Sequence, residues 1–431
     1  MKLETLKTFI LVVLIGISLL LTFGMWNYQP SIESLKDPTP EDISLNGSEE
    51  SIQSLIEPKQ IIFHQASMHY GFDSPLEQRE FYQDVQDWVL YDFETVKTEE
   101  NTNHPDGELI FPTPLPMEIL DSLFTFNSSN LELPIWSFQR VYLTLDEEAN
   151  AVMVEFLSID GRDKAVAFVH DPSHYEQLQA YMNEQELREY TLFDEGGTDI
   201  YLPEGPIHLS RQTRSFSRIN PNDLVEVLFS DPSVVRQSNY TNRGTTYFTD
   251  SSQMSVTRDE ARMEFISPGA NNEYQEGLYA EDLLNKSIDD INAHEGWTDE
   301  YKLMDIFINE NLIRYQMYYQ GYPVFSTLTT IEQEWGQRLI QYKRPLFRSN
   351  DLLNEITVEL PSSGAIVDYV REHYNPDNIM DIQIGYQLNY DKDDNLIVFE
   401  PNWYIQQQNQ ENYYWTPVNP YDEEFTLKGG D

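Results

Sequence analysis

Cysteine is absent from the 431 residues. Without a thiol the chain forms no disulfide, offers no thiolate to a metal, carries no cysteine nucleophile and cannot be acylated as a lipoprotein. Positive charge is scarce: 27 Lys and Arg stand against 73 Asp and Glu, a net charge of −46. A surface of that sign repels phosphate backbones and stands off from anionic headgroups, so nucleic acid is not an expected partner. It suits a solvated face in a saline or alkaline exterior; the alternative is a docking surface for a basic partner or cations. Catalytic signatures are missing as well, with no G-x-S-x-G, no P-loop and no Rossmann fingerprint.

What is present is a folded composition, 40% hydrophobic and 13% aromatic, with 27 Tyr and 22 Phe. Disorder would need far fewer aromatics. A chain of this length divides into two or three domains, because single cores seldom grow past about 250 residues.

The long apolar run lies at the start. Thr8 to Trp26 is 19 residues without a charge. At about 1.5 Å per residue, such a helix just spans a hydrocarbon core of about 30 Å. A cleaved signal peptide has a shorter apolar core and a small-residue cleavage site; here the run ends Phe23-Gly24-Met25-Trp26. Residues 8–28 are therefore expected to be an uncleaved transmembrane helix. Lys2 and Lys7 precede it, while the charges that follow are mainly acidic, Glu33, Lys36, Asp37, Glu41 and Asp42, so residues 1–7 are expected in the cytoplasm and the bulk of the chain outside. A seven-residue tail cannot house a kinase or a DNA reader, so any message inward must pass through the helix. Gly16, Ser18, Thr22 and Gly24 are the small residues where a neighbouring helix can approach.

Residues 29–56, polar with three prolines, read as an extended linker. Beyond it the pattern predicts α+β architecture with antiparallel sheets, in an N-terminal domain (57–205), a middle domain (206–300) and a C-terminal domain (301–425). "SPLEQREFYQDVQDWV" predicts a helix with Ser74 as N-cap, Pro75 in the first turn and Glu77 completing a capping box. Another helix is expected from Met117 to Phe126. "QRVYLTLD", "NAVMVEFLS" and "KAVAFVH" read as successive antiparallel strands, and a helix from His174 to Met182 follows. "NPNDLVEVLF" is a second Pro-initiated helix, and "RGTTYFTDSSQMSVTRDEARMEFIS" a strand pair. The last 150 residues repeat a helix-then-meander unit, with helices at 281–295 and 363–374, so the last two domains should resemble each other.

Candidate chemistry is sparse. His170 and His174 have an i, i+4 spacing, but Pro172 lies between them and no intervening Glu completes a zincin motif. "DKDDN" (391–395) starts like a calcium loop, yet Leu396 and Asn402 stand where Gly and Glu are required, so a hairpin turn is expected. Trp297, Trp335, Trp403 and Trp415 either line a glycan groove or fill sheet cores; cores are the expected place. No cofactor, metal site or catalytic residue is expected. An anchored wall-glycan hydrolase or glycan-binding module is the alternative to a non-enzymatic protein.

"KTFILVVLIGISLLLTFGMWNYQP" (7–30) and "LFRSNDLLNEITVELPSSG" (346–364) resemble the YycH (WalH) family, and the resemblance runs the length of the chain. It implies a membrane-anchored regulator that acts with a YycI-like partner on a YycG (WalK) sensor histidine kinase controlling cell-wall metabolism. The resemblance further implies a heteromeric membrane complex, contacts between transmembrane helices and an inhibitory effect. It also implies three outer α+β domains, the later ones similar to YycI, and no catalytic residues.

Overall fold

The computed structural model describes residues 44–421 apart from 99–104, 129–130, 184–186, 241–243, 269–277 and 410–411. The expected helix at 8–28, with Gly16, Ser18, Thr22 and Gly24, lies outside the described residues. Among the described residues no helix is long and apolar enough to cross a membrane.

Three sheets carry the fold. The first, of ten strands, uses residues 60–203. Its centre is built from Gln60–Gln65, Gly107–Pro116, Ser137–Asp146, Ala151–Ser158 and Asp163–Val169, all antiparallel. Period-two alternation divides its faces. Ile61 and Phe63 turn toward the helices Pro75–Asp87 and Pro172–Asn183, sharing a core with Phe81, Val85, Tyr175 and Leu178. Ile62 and Ile110 turn to the other face, with Tyr201. The first helix starts at Pro75 after Ser74, as expected, but the Ser74 side chain makes no capping bond; the fixed φ of proline sets this start without a capping box. The expected Met117–Phe126 helix is split into a 3-10 turn (Met117–Ile119), one α turn (Leu120–Leu123) and a short strand (Thr125–Phe126).

The second sheet has nine strands between residues 236 and 345. Helix Ala280–Asn292 lies over it with Leu283, Leu284, Ile288 and Ile291 buried. The expected strand pair at 243–267 is three strands, Gly244–Phe248, Gln253–Val256 and Arg262–Ile266. Strand Arg262–Ile266 then pairs with Leu339–Pro345, so one sheet runs across the boundary drawn at residue 300. Hydrogen bonding between distant segments, which local periodicity does not encode, joins them.

The third sheet has five strands. Ile207–Arg218 lies between Phe347–Leu360 and Leu396–Asn409, with Ile379–Asp391 and Asn412–Val418 also pairing with Leu396–Asn409. Helix Ser363–His373 covers it through Ile366, Val367 and Val370, against Ile382, Ile384 and Trp403. Both helix-then-meander units are therefore present. The hairpin at 391–395 is formed as expected, with Asp391 accepting from the amides of Asp393 and Asp394.

Residues 44–56 correct the linker expectation. Leu45, Ile52, Leu55 and Ile56 are buried in the main core, and Ile52–Leu55 is a capped helical turn. The amides of Leu45, Gly47 and Ser48 donate to the carbonyls of His294, Glu295 and Trp297 at 2.9–3.0 Å. Asn292 clamps the same segment, exchanging hydrogen bonds with the Glu50 backbone and accepting from Trp297 Nε1. A Cβ at Gly47 would stand 2.4 Å from the Trp297 carbonyl oxygen. Gly47→Val is expected to cost about 2–3 kcal/mol, in the range of overpacking against a rigid neighbour. Urea unfolding and limited proteolysis check this; the variant should be cut within 44–56, and an unchanged midpoint and digest would show that the segment is not clamped.

Candidate functional site at the meeting of three sheets

A cleft of about 300 Å³ opens where the three sheets meet. Lys59, Arg79 and Lys302 line it, and Asp381, next to the lining residue Ile382, pairs with Lys59. Lys59 directly precedes strand Gln60–Gln65, and its amide donates to the Ile110 carbonyl. Arg79 stands on helix Pro75–Asp87. Lys302 lies in strand Tyr301–Phe307 of the nine-stranded sheet, next to Glu300. Asp381 lies in the five-stranded sheet, where a register shift interrupts the pairing of Ile379–Asp391.

These groups form two sets. Lys59 pairs with Asp381, and Arg79 pairs with Glu57 at 3.2 Å and with Glu300. Lys302 reaches Glu57 at 2.7 Å and Glu300 at 3.9 Å, and donates to the Ser54 carbonyl. Burial opposes the charge on Arg79, but Glu57 and Glu300 outweigh it and hold its pKa above the usual value. At the other end of the cleft Arg188 pairs with Asp73. Gly321 closes against Pro75, with φ +79° and no room for a Cβ, which would meet the proline ring at 2.3 Å. The cleft's cations are all matched by carboxylates, and Trp403 on its wall is tied to the Pro361 carbonyl. Its volume is at the lower limit of small-molecule pockets. The Lys59–Asp381 pair ties the ten-stranded sheet to the five-stranded one, and the set of Arg79, Glu57, Glu300 and Lys302 ties it to the nine-stranded one.

A second polar cluster occupies the face of the ten-stranded sheet away from its helices. Glu108, 1% exposed, pairs with Arg140 and lies 3.4 Å from His64 Nε2. His64 Nδ1 contacts His69 Nδ1 at 2.9 Å across the hairpin, and Tyr201 lies against both rings. Burial, reinforced by His64, pulls the His69 pKa down. Sequence reasoning missed this cluster, because one buried acid does not stand out among 73 acidic residues.

The residues singled out from sequence do not converge. His170 lies 3.2 Å from Asp92, and His174 leans on Trp88. Among the described residues no group of His, Asp and Glu is placed to hold a metal. Trp297, Trp335 and Trp403 are buried in cores, and Trp415 stacks on Phe325.

Comparison with known proteins agrees with this architecture. The model of the YycH protein N-terminal domain matches residues 4–187, and that of the YycH protein C-terminal domain matches residues 197–422. The chain belongs to the YycH family. Within the family, it is 23% identical over 438 residues to the "Two-component system WalR/WalK regulatory protein YycH" of Bacillus subtilis strain 168, covering 94% of each chain. The crystal structure of YycH from Bacillus subtilis superposes with a TM-score of 0.71 at 19% identity, covering 87% of this chain and 99% of that one. The YycH fold is thus shared across nearly all of the crystallised chain.

Proposed function

We propose that this protein regulates a WalR/WalK-type two-component system without doing chemistry of its own. The observation that carries the reading is the match of both YycH domain models in succession along the chain. The Bacillus subtilis relative named as a regulator of WalR/WalK is matched over nearly its full length. The cleft adds a physical argument. Its ionic groups are paired with one another across three sheets, which suits coupling between parts of a body more than bond-breaking.

The same proposal includes a single-pass anchor at residues 8–28, with residues 1–7 inside, the body outside, and a sensor histidine kinase and a YycI-like protein as membrane partners. Its effect on the kinase is restraint. Control through lateral helix contacts is energetically reasonable, since a coupling of about 1–3 kcal/mol changes an equilibrium several-fold or more. Docking of residues 44–56 supports this route, because a displaced anchor would pull on a segment bonded to the connection at 294–297 that leads into the nine-stranded sheet. The test replaces residues 8–26 with an unrelated apolar helix of equal length and reads transcription of genes under the cognate response regulator. Release from restraint is expected at unchanged protein level. Full restraint by the swapped chain, or by a form secreted into the medium, would sink the helix route.

A further inference from the structure

Strand Phe347–Leu360 is fourteen residues long and forms one border of the five-stranded sheet. Its inner edge pairs with Ile207–Arg218, and its outer edge has no strand partner among the described residues. Soluble proteins usually blunt such borders by keeping them short, by proline, by lysine or by bulges. This one has two irregularities, both toward its start: Asn354 pairs with Thr213 and Leu352 with Arg214, leaving Leu353 extra, and a second shift falls between the Leu352–Arg214 and Ser349–Phe216 pairs. From Asn354 to Leu360 the pairing is regular, and residues 349–360 contain neither proline nor any cation. Leu352, Leu353 and Ile356 are 44–57% exposed.

The two faces of this border differ in chemistry. Ile356 and Val358 alternate into line with Leu360, which is buried in the core under helix Ser363–His373. Glu355 and Glu359 point to the opposite face with Thr357. A strand added alongside would therefore continue the apolar core with one set of alternate residues and meet carboxylates with the other. A second copy of the chain would bring Glu355 and Glu359 against their own counterparts, and like charges facing one another across a strand pair are destabilising.

We infer that residues 352–359 are a docking edge for an extended segment of another protein, one that alternates apolar and basic residues and adds to the five-stranded sheet as a sixth strand. Backbone hydrogen bonds supply affinity in this mode, and alternate side chains supply specificity. The inference rests on the edge itself and stands whether or not the kinase reading is right.

The test uses the full chain in lipid nanodiscs and hydrogen exchange of its backbone amides. The probe is an eight-residue peptide alternating valine and lysine. Three controls accompany it: its valine–glutamate twin, a copy N-methylated at alternate amides, and the E355K/E359K variant, whose substituted side chains are both exposed. Saturation with the lysine peptide to about 90% should slow exchange over 352–359 by about tenfold. The N-methylated copy and the glutamate twin should leave exchange unchanged. E355K/E359K should lose protection by the lysine peptide and gain it with the glutamate twin. Protection spread over the acidic surface and indifferent to N-methylation would overturn the inference as mere ionic adhesion. Protection of 352–359 without any peptide, growing with protein concentration, would overturn it in favour of self-association, and no protection at all would overturn it outright.

Discussion

Replacing Glu108 with alanine is expected to cost about 3–5 kcal/mol, the usual penalty for removing one partner of a buried ion pair. Glu108 sits in strand Gly107–Pro116, and its carboxylate is enclosed by Arg140 and His64. Burial works against the ionised acid, but His64 and Arg140 outweigh it, so its pKa is held below the usual carboxylate value. Arg140 is shifted up by the same pairing, against its own burial. The two directions agree. Stability from Glu108 is thus present above its ordinary pKa and lost as pH falls through the lowered one. In the alanine variant Arg140 keeps only the Asp199 carbonyl among these acceptors. The double variant Glu108→Leu/Arg140→Leu removes both charges and should regain most of the loss, because the desolvation cost goes with them. Urea midpoints of the three proteins decide the matter. Equal losses for the single and double variants would mean that packing, and not the stranded guanidinium, sets the cost.

Much of this architecture is legible in the sequence, and the exceptions share a cause. Strands 137–169 announce themselves by alternation, the helices at Pro75 and Pro221 by their prolines, and the 391–395 hairpin by its acidic turn. Each signal is local. The docking of residues 44–56 is not: Leu45, Ile52, Leu55 and Ile56 are scattered among polar residues, and the carbonyls that hold the segment lie far along the chain, at 294–297. Strand Phe347–Leu360 escapes notice for a related reason. A border strand has little to bury, so "NDLLNEIT" looks like a loop, and the bulge at Leu353 breaks its alternation. The cleft needs three separate segments brought together, and nothing in the spacing of Lys59, Arg79, Glu300 and Asp381 foretells their pairing.

Asp299 links the docked N-terminal segment to pH. Its Oδ1 accepts from the Ser349 amide, while its Oδ2 is enclosed without a partner among the described residues. Burial pushes its pKa up to about 7, against the Ser349 bond and the charges of Arg344, Arg348 and Arg214. Arg348 also donates to the Asn46 carbonyl, and fully buried Arg344 donates to the Gly296 carbonyl. Both arginines thereby touch the joint that holds residues 44–48. Since the folded pKa is raised, the folded state keeps a proton that the unfolded chain releases between about pH 4 and 7, and stability falls as pH rises through that window. Asp290, pushed up to about 6 by burial, acts in the same direction. His294, drawn down to about 3 by burial and by Arg344, acts oppositely: its contribution is present above its ordinary pKa and lost as pH falls toward 3. The wild-type profile is therefore flattened, and the informative quantity is a difference. Asp299→Asn keeps an acceptor for the Ser349 amide and removes one falling contribution, while any pH-independent cost of the substitution cancels from the slope. From pH 5 to pH 8 the variant should gain about 2–3 kcal/mol on the wild type. That is about 1.4 kcal/mol for each pH unit between 5 and 7, where the unfolded carboxyl is ionised and the folded one still holds its proton. Urea midpoints at pH 5, 6.5 and 8 measure it. Parallel profiles would mean that the Asp299 carboxyl ionises in the folded protein as readily as in the unfolded chain, and that the joint at residues 44–48 is not governed by its proton.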